Sequence, residues 1–214
     1  MPEDKYIDVE IVKLREKIYD RMEDMDRIQN SPENNIHNGY VIIEGYKIPF
    51  SEKTVQNKIR IILPTEFIKM ADVYIEIKYP AFKKSTGKVI ITNEQTTINF
   101  IFNFSEQFIE PDDLDVLRDQ TFNLLQKTNP AIELLEKSTA KTAATDIAYF
   151  EIITPSLDKS MYNFMYFFIV DQKLTLASFN CAANERKHWQ DIIRQIITSI
   201  RIIKGDEKDG PNHL

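Results

Sequence analysis

An α+β fold, a mixed and largely antiparallel sheet with helices on its faces, follows from three features of this 214-residue sequence. Met161–Val170 and Lys173–Cys181 are runs of aromatic, aliphatic and β-branched residues that meet at Asp171-Gln172, the pattern of a two-stranded hairpin. Trp189, Ile192, Ile193, Ile196, Ile197 and Ile200 then recur at three- and four-residue spacing, which makes one apolar helical face. Upstream, short strands precede a helix and a four-strand meander, and that order places helices against a sheet. In the first hairpin strand Phe164, Tyr166, Phe168 and Val170 point one way, and Met165, Phe167 and Ile169 the other. Both faces are apolar, so this strand belongs in the middle of a sheet covered on both sides.

At the N-terminus, Ile7, Ile11, Leu14, Ile18, Met22, Met25 and Ile28 recur at steps of three and four within charged surroundings. This predicts an amphipathic helix appendage over residues 1–30, with a narrow seam over residues 7–28 suited to packing on its own domain, pairing with a second copy or docking on another protein. Residues 31–39, with Ser31-Pro32, Asn34-Asn35 and Asn38-Gly39, read as a linker, and residues 40–204 as the folded domain. The last ten residues, 205–214, read as a flexible acidic tail.

Within the domain, Tyr40–Ile43, Gly45–Phe50 and Lys58–Leu63 are short strands, the last halted by Pro64. Thr65–Met70 suits one helical turn. Val73, Ile75 and Ile77 alternate with Tyr74, Glu76 and Lys78, which predicts a strand over Val73–Lys78 that stops at Tyr79-Pro80. Lys88–Thr92 and Thr97–Phe104 follow as strands. Pro111-Asp112-Asp113 opens a helix through Leu114, Leu117, Thr121, Leu124 and Leu125, with Asp112 as its N-cap and Asn129-Pro130 as its end. Ile132–Ser138 and Asp146–Thr154 form a further hairpin around Lys141–Thr145.

The positions of several core residues resemble the PsbP-like superfamily, which also includes the nuclear-import factors that bind Ran and the bacterial DcrB-type proteins. The matching pieces are Ile48-Pro49-Phe50, Lys78-Tyr79-Pro80, the Asn99–Asn103 strand, Phe167-Phe168, Leu174, Phe179-Asn180-Cys181, Trp189 and Ser199-Ile200. They span about residues 40–203. The resemblance implies an α/β/α sandwich and a family whose members mostly bind proteins or act as accessory subunits. The chain departs from the exported members by having no leader-like run or lipid-attachment cysteine near its start, and by carrying the charged N-terminal helix.

The net charge of -6 is unevenly spread. Residues 1–30 hold nine acids and six bases, and residues 205–214 three acids and one base, which leaves the body almost neutral. Such a body lacks the basic footprint of a nucleic-acid binder. No apolar stretch approaches the length of a membrane span, and the first thirty residues lack the apolar core of a signal peptide, so the expected location is cytoplasmic. A single cysteine forms no intrachain disulfide.

Chemical motifs are sparse. His37, His188 and His213 have no ligand spacing and Cys181 offers one thiolate, so neither a metal site nor a cofactor is expected. The five glycines form no phosphate-binding loop. Cys181, His188 and Asp191 are close in the chain near the strand-to-helix junction, but Cys181 shares its face with Ala177 and Phe179, which places it in the core. No catalytic residue is assigned. Asp112, Asp113 and Asp115 are explained by capping and by the helix dipole.

The candidate partner-binding residues are Lys78, Tyr79, Phe82, Lys83, Lys84 and Lys88, a mixture of lysines and aromatics able to attract an acidic partner and supply apolar anchors. The expected function is a non-catalytic protein-binding or accessory module. The alternatives are an enzyme or small-ligand receptor with its pocket on one sheet face, and a bacterial adaptor or immunity-type protein of a secretion or toxin system.

Overall fold

The computed structural model describes residues 11–15, 17–23, 27, 31, 34–80, 87–156 and 158–204. The chain divides into two compact units, Met1–Phe50 and Ser51–Leu214.

In the first unit, residues 11–15 and 17–23 are helical. Ile11, Leu14, Ile18 and Met22 of the predicted seam are 44%, 61%, 50% and 56% exposed. Further along, Asn34 pairs with both backbone groups of Ile42, accepting from its N–H at 2.6 Å and donating to its carbonyl at 3.1 Å. This side chain ties the stretch read as a linker to strand β1 (Tyr40–Ile43), which pairs antiparallel with the start of β2 (Tyr46–Val55). The turn between them places Glu44 and Gly45 in the left-handed region.

The second unit begins in the later half of β2. Gln56 and Asn57, both at positive φ, turn the chain into β3 (Ile59–Pro64), whose Ile59, Ile61 and Leu63 are fully buried. A seven-stranded sheet follows. Its members are β4 (Ile68–Lys69), β5 (Lys88–Thr92), β6 (Asn99–Phe108), β7 (Glu133–Lys141), β8 (Asp146–Thr154), β9 (Met161–Val170) and β10 (Lys173–Ala182). The order is β4-β5-β6-β10-β9-β8-β7, and each neighbouring pair runs antiparallel. β9 lies between β10 and β8, an interior position consistent with its two apolar faces. Asp171 and Gln172, at φ 51° and 62°, close its hairpin without a glycine.

Three helices complete the unit: α1 (Asp72–Lys78), α2 (Leu114–Thr128) and α3 (Arg186–Thr198). On one face of the sheet, Phe122 and Leu114 of α2 pack on Phe150, Ile152, Phe167 and Leu174. Ile75 of α1 and Tyr79 pack on Ile90 and Ile101, which share that face by register. On the other face Trp189 of α3, 2% exposed, meets Phe179 and Phe67 with ring centroids at 5.5 and 6.2 Å. The sheet thus has helices on both sides, an α/β/α sandwich. After α3, β11 (Arg201–Ile202) pairs with β3, and the Ser199 hydroxyl accepts from Ile62 N–H at 3.0 Å.

Three sequence expectations are corrected. Val73–Lys78 lies in a helix, not a strand: Val73, Tyr74 and Ile77 are exposed, and Ile75 alone of the run packs inward. A six-residue alternation carries too little periodicity to distinguish the two, and here packing overrides β propensity. Thr65–Met70 is no helical turn throughout, because Ile68 and Lys69 pair with Thr92 and Ile91. Asp112 does not cap α2: it sits inside the 3-10 turn Pro111–Asp113, and Asp113 precedes the helix without a side-chain capping bond.

Candidate functional site

The sequence-predicted binding residues fall around the end of α1. Lys78 is exposed and donates to the Thr96 carbonyl at 2.7 Å and to the Thr96 hydroxyl, holding the end of α1 to the β5–β6 turn. Tyr79 is half-buried against Met70, Ile90 and Ile101. Burial raises its phenol pKa, and a hydrogen bond with Asn180 partly offsets the rise. Lys88 starts β5. Phe82, Lys83 and Lys84 lie outside the described residues.

Tyr79 leads to a polar row that the sequence reading missed. Register sets Thr92, Asn99, Asn180 and Asn163 side by side across β5, β6, β10 and β9 on the face that carries α1. The Thr92 hydroxyl lies 2.7 Å from Asn99 Oδ1, and Asn99 Nδ2 donates to Asn180 Oδ1 at 2.9 Å. Three of the four are buried. Buried amides require partners, and the matched register supplies them strand by strand. Asparagines inside otherwise apolar strands were the available signal.

A second network lies under α3. Glu151 is fully buried. It accepts from the Tyr162 hydroxyl at 2.9 Å, Gln190 Nε2 at 2.9 Å and Arg194 Nη2 at 2.7 Å. Its cross-strand neighbour is Glu136, which accepts from the Tyr149 hydroxyl at 2.9 Å and from the same Arg194 nitrogen at 2.6 Å. Two carboxylates opposite one another on a ladder repel, and Arg194 reaches down from α3 to join both. Desolvation alone would lower the Arg194 pKa, yet the hydrogen bond and charge of Glu151 hold it above the ordinary value. Burial, then the charge of Glu151, pushes the Tyr162 phenol far up, so it stays a proton donor. The carboxylate is saturated by donors and closed to solvent, which suits it to pinning α3 on the sheet. A lone acid in the run Ala148-Tyr149-Phe150-Glu151-Ile152-Ile153 was its sequence signal.

Cys181, His188 and Asp191 do not converge. Cys181 is fully buried and burial pushes its thiol up to about 12. Asp191 is 81% exposed and pairs with Arg194 at 3.6 Å. Among the described residues no group of three or more His, Cys, Asp or Glu side chains is placed to hold a metal ion. No helix among them is long and apolar enough to cross a membrane.

Two surface cavities flank the start of α2. One, of about 360 Å³, is lined by Phe108, Ile109, Val116 and Leu117 with Glu110 and Asp113. The other, of about 350 Å³, includes Leu114 and Ile169 with Asp146 and Asp171. Neither lining contains a Lys, Arg or His.

No protein-family profile and no curated protein sequence matches the chain. Solved structures do. PsbP (CyanoP) from Synechocystis sp. PCC 6803 superposes with a TM-score of 0.52 at 11% identity, covering 72% of this chain and 92% of its own. The type VI secretion immunity protein TplEi of Pseudomonas aeruginosa, complexed with "L" peptide, gives a TM-score of 0.42 at 12% identity, covering 78% of this chain and 80% of its own. LpqN of Mycobacterium tuberculosis, involved in cell envelope biogenesis, gives 0.43 at 9% identity, covering 81% and 100%. The fold is similar to that of PsbP (CyanoP), and at this identity the likeness concerns fold alone.

Proposed function

We propose that the chain is a non-catalytic, cytoplasmic protein-binding module whose N-terminal helix is the docking element. One observation carries the reading: Ile11, Leu14, Ile18 and Met22, spaced as one helical stripe, are 44–61% exposed on a helix whose other residues are charged apart from Val12 and Tyr19. A contiguous exposed apolar stripe of this kind marks an interaction surface. Burying four such side chains contributes about 1.5–3 kcal/mol each before the costs of association. The Lys78, Tyr79, Phe82, Lys83, Lys84 and Lys88 region is a second contact surface for an acidic partner.

The substitutions Leu14→Glu and Ile18→Glu in the full chain test the reading, because both side chains are exposed and the change leaves the folded domain intact. Affinity capture from the native cell followed by mass spectrometry should lose its specific partner with the double variant. Undiminished recovery would refute the docking helix. Light scattering on the same pair of proteins decides whether the partner is another copy: a dimer that becomes a monomer in the variant assigns the seam to self-association.

A further inference from the structure

The cavity beside the start of α2 joins exposed apolar side chains to acidic ones. Its apolar part is exposed to an unusual degree: Phe108 is 70% and Val116 52% exposed, and Ile109 and Leu117 extend the apolar lining inward to the core under α2. Gln107 and Gln120 share the lining, so the groove is a mixed polar and apolar trough with one aromatic wall.

Its rim is acidic. Glu110 and Asp113 line it and Asp112 is exposed beside them, and none of the three has an ion-pair partner among the described residues. The nearby bases are engaged elsewhere: Arg118 pairs with Asp115 and Asp119, and Lys173 with Glu106. Lys173 Nζ also stands 5.7 Å from the centroid of the Phe108 ring, so this ring already receives a cation on its face. Carboxylates without an ion-pair partner beside exposed apolar side chains favour a positively charged ligand with apolar side chains over an acidic one.

We propose that this groove docks a cationic amphipathic segment of a protein partner, with an apolar side chain seated against Phe108 and Val116 and flanking Lys or Arg residues on Glu110, Asp112 and Asp113. The assignment stands apart from the N-terminal docking helix, since it rests on different residues and on the opposite sign of charge to the lysine-rich region.

The test is fluorescence anisotropy with the full chain and a fluorescein-labelled peptide of lysine and leucine that forms an amphipathic helix. A lysine–serine peptide and a glutamate–leucine peptide are the controls. The lysine–leucine peptide should bind saturably and the glutamate–leucine peptide should not. Phe108→Ser and Val116→Ser, at exposed positions, should each weaken binding at least tenfold. Asp113→Asn should weaken it several-fold and flatten its salt dependence, whereas Glu94→Gln, in the turn at the opposite end of β6, should leave it unchanged. Equal binding of the lysine–serine peptide, or no effect of Phe108→Ser, would reduce the interaction to diffuse charge attraction and overturn the proposal. Loss of peptide binding in the Leu14→Glu/Ile18→Glu chain would move the site to the N-terminal helix. A tenfold gain there would identify the chain's own helix as the occupant. Either result overturns it.

Discussion

Removing the guanidinium of Arg194 should unfold this domain more readily than almost any other polar substitution. In Arg194→Met the aliphatic stem is retained, so packing changes little, but Glu151 stays fully buried and loses its only ion-pair partner among the described residues. Two neutral donors remain, the Tyr162 hydroxyl and Gln190 Nε2, each 2.9 Å away. Glu136, opposite on the ladder, loses the same nitrogen, so two carboxylates face each other with nothing between them. Breaking a buried pair from one side costs about 3–5 kcal/mol, because the remaining charge has no water to return to. For a domain of this size that corresponds to a fall in Tm of roughly 6–20 °C. Glu151→Gln is milder, at about 1–3 kcal/mol, because Arg194 keeps Glu136 at 2.6 Å and Asp191 at 3.6 Å. Once Glu151 is neutral, little is left for the guanidinium to compensate, so Arg194→Met in that background should cost at least 1 kcal/mol less than alone, within the ~0.5–3 kcal/mol range of coupled pairs. Urea denaturation of the wild type, both single variants and the double variant measures all four corners. A cost below about 1 kcal/mol for Arg194→Met, or strict additivity, would refute the view that Arg194 exists to neutralise Glu151.

Three other outcomes follow from the same structure. Trp189→Ala, which empties the site between Phe67 and Phe179, should cost about 3–5 kcal/mol in urea denaturation, and an unchanged midpoint would remove Trp189 from the core. Cys181 should be inert to a thiol-reactive disulfide at neutral pH in the native protein and react on unfolding. Its folded pKa of about 12 exceeds the unfolded value, so the native state holds the proton more tightly and stability from this group is lost as pH rises from about 9 toward 12, visible as a falling urea midpoint. Gly87→Ala should destabilise by more than about 1 kcal/mol, because Gly87 has φ +85° and an added Cβ would lie 2.5 Å from the Phe104 carbonyl oxygen; a melt matching the wild type would show that the close approach relaxes.

Much of the scaffold was legible in particular residues. The strands from Phe164 to Cys181 announce themselves because two runs rich in aromatic, aliphatic and β-branched residues meet at the Asp171-Gln172 turn. The α3 stripe did so because Trp189, Ile192, Ile193, Ile196 and Ile197 keep one helical face, while Ile200, read as part of the stripe, falls just past the end of the helix. Val73–Lys78 failed for lack of length. The candidate sites were less legible. Glu151 was conspicuous as an acid amid apolar neighbours, yet nothing local to it points to Arg194, forty-three residues away on a helix whose rotation is set by packing. Thr92, Asn99, Asn180 and Asn163 become one row only through the register of four strands, and register is a property of pairing.

What this sequence determined by itself was the kind of object it folds into. Side-chain period and turn chemistry are local, and they specified an interior hairpin, a closing helix and a charged helix with an apolar seam. The tertiary structure decided which residues meet. It enclosed Cys181 while leaving Asp191 in water, joined two carboxylates through Arg194, and brought the end of β6 beside α2 to form a groove of mixed lining with an acidic rim. Contacts of that kind depend on register, strand order and helix rotation, which are settled when the whole apolar surface is buried together and are written in no single segment.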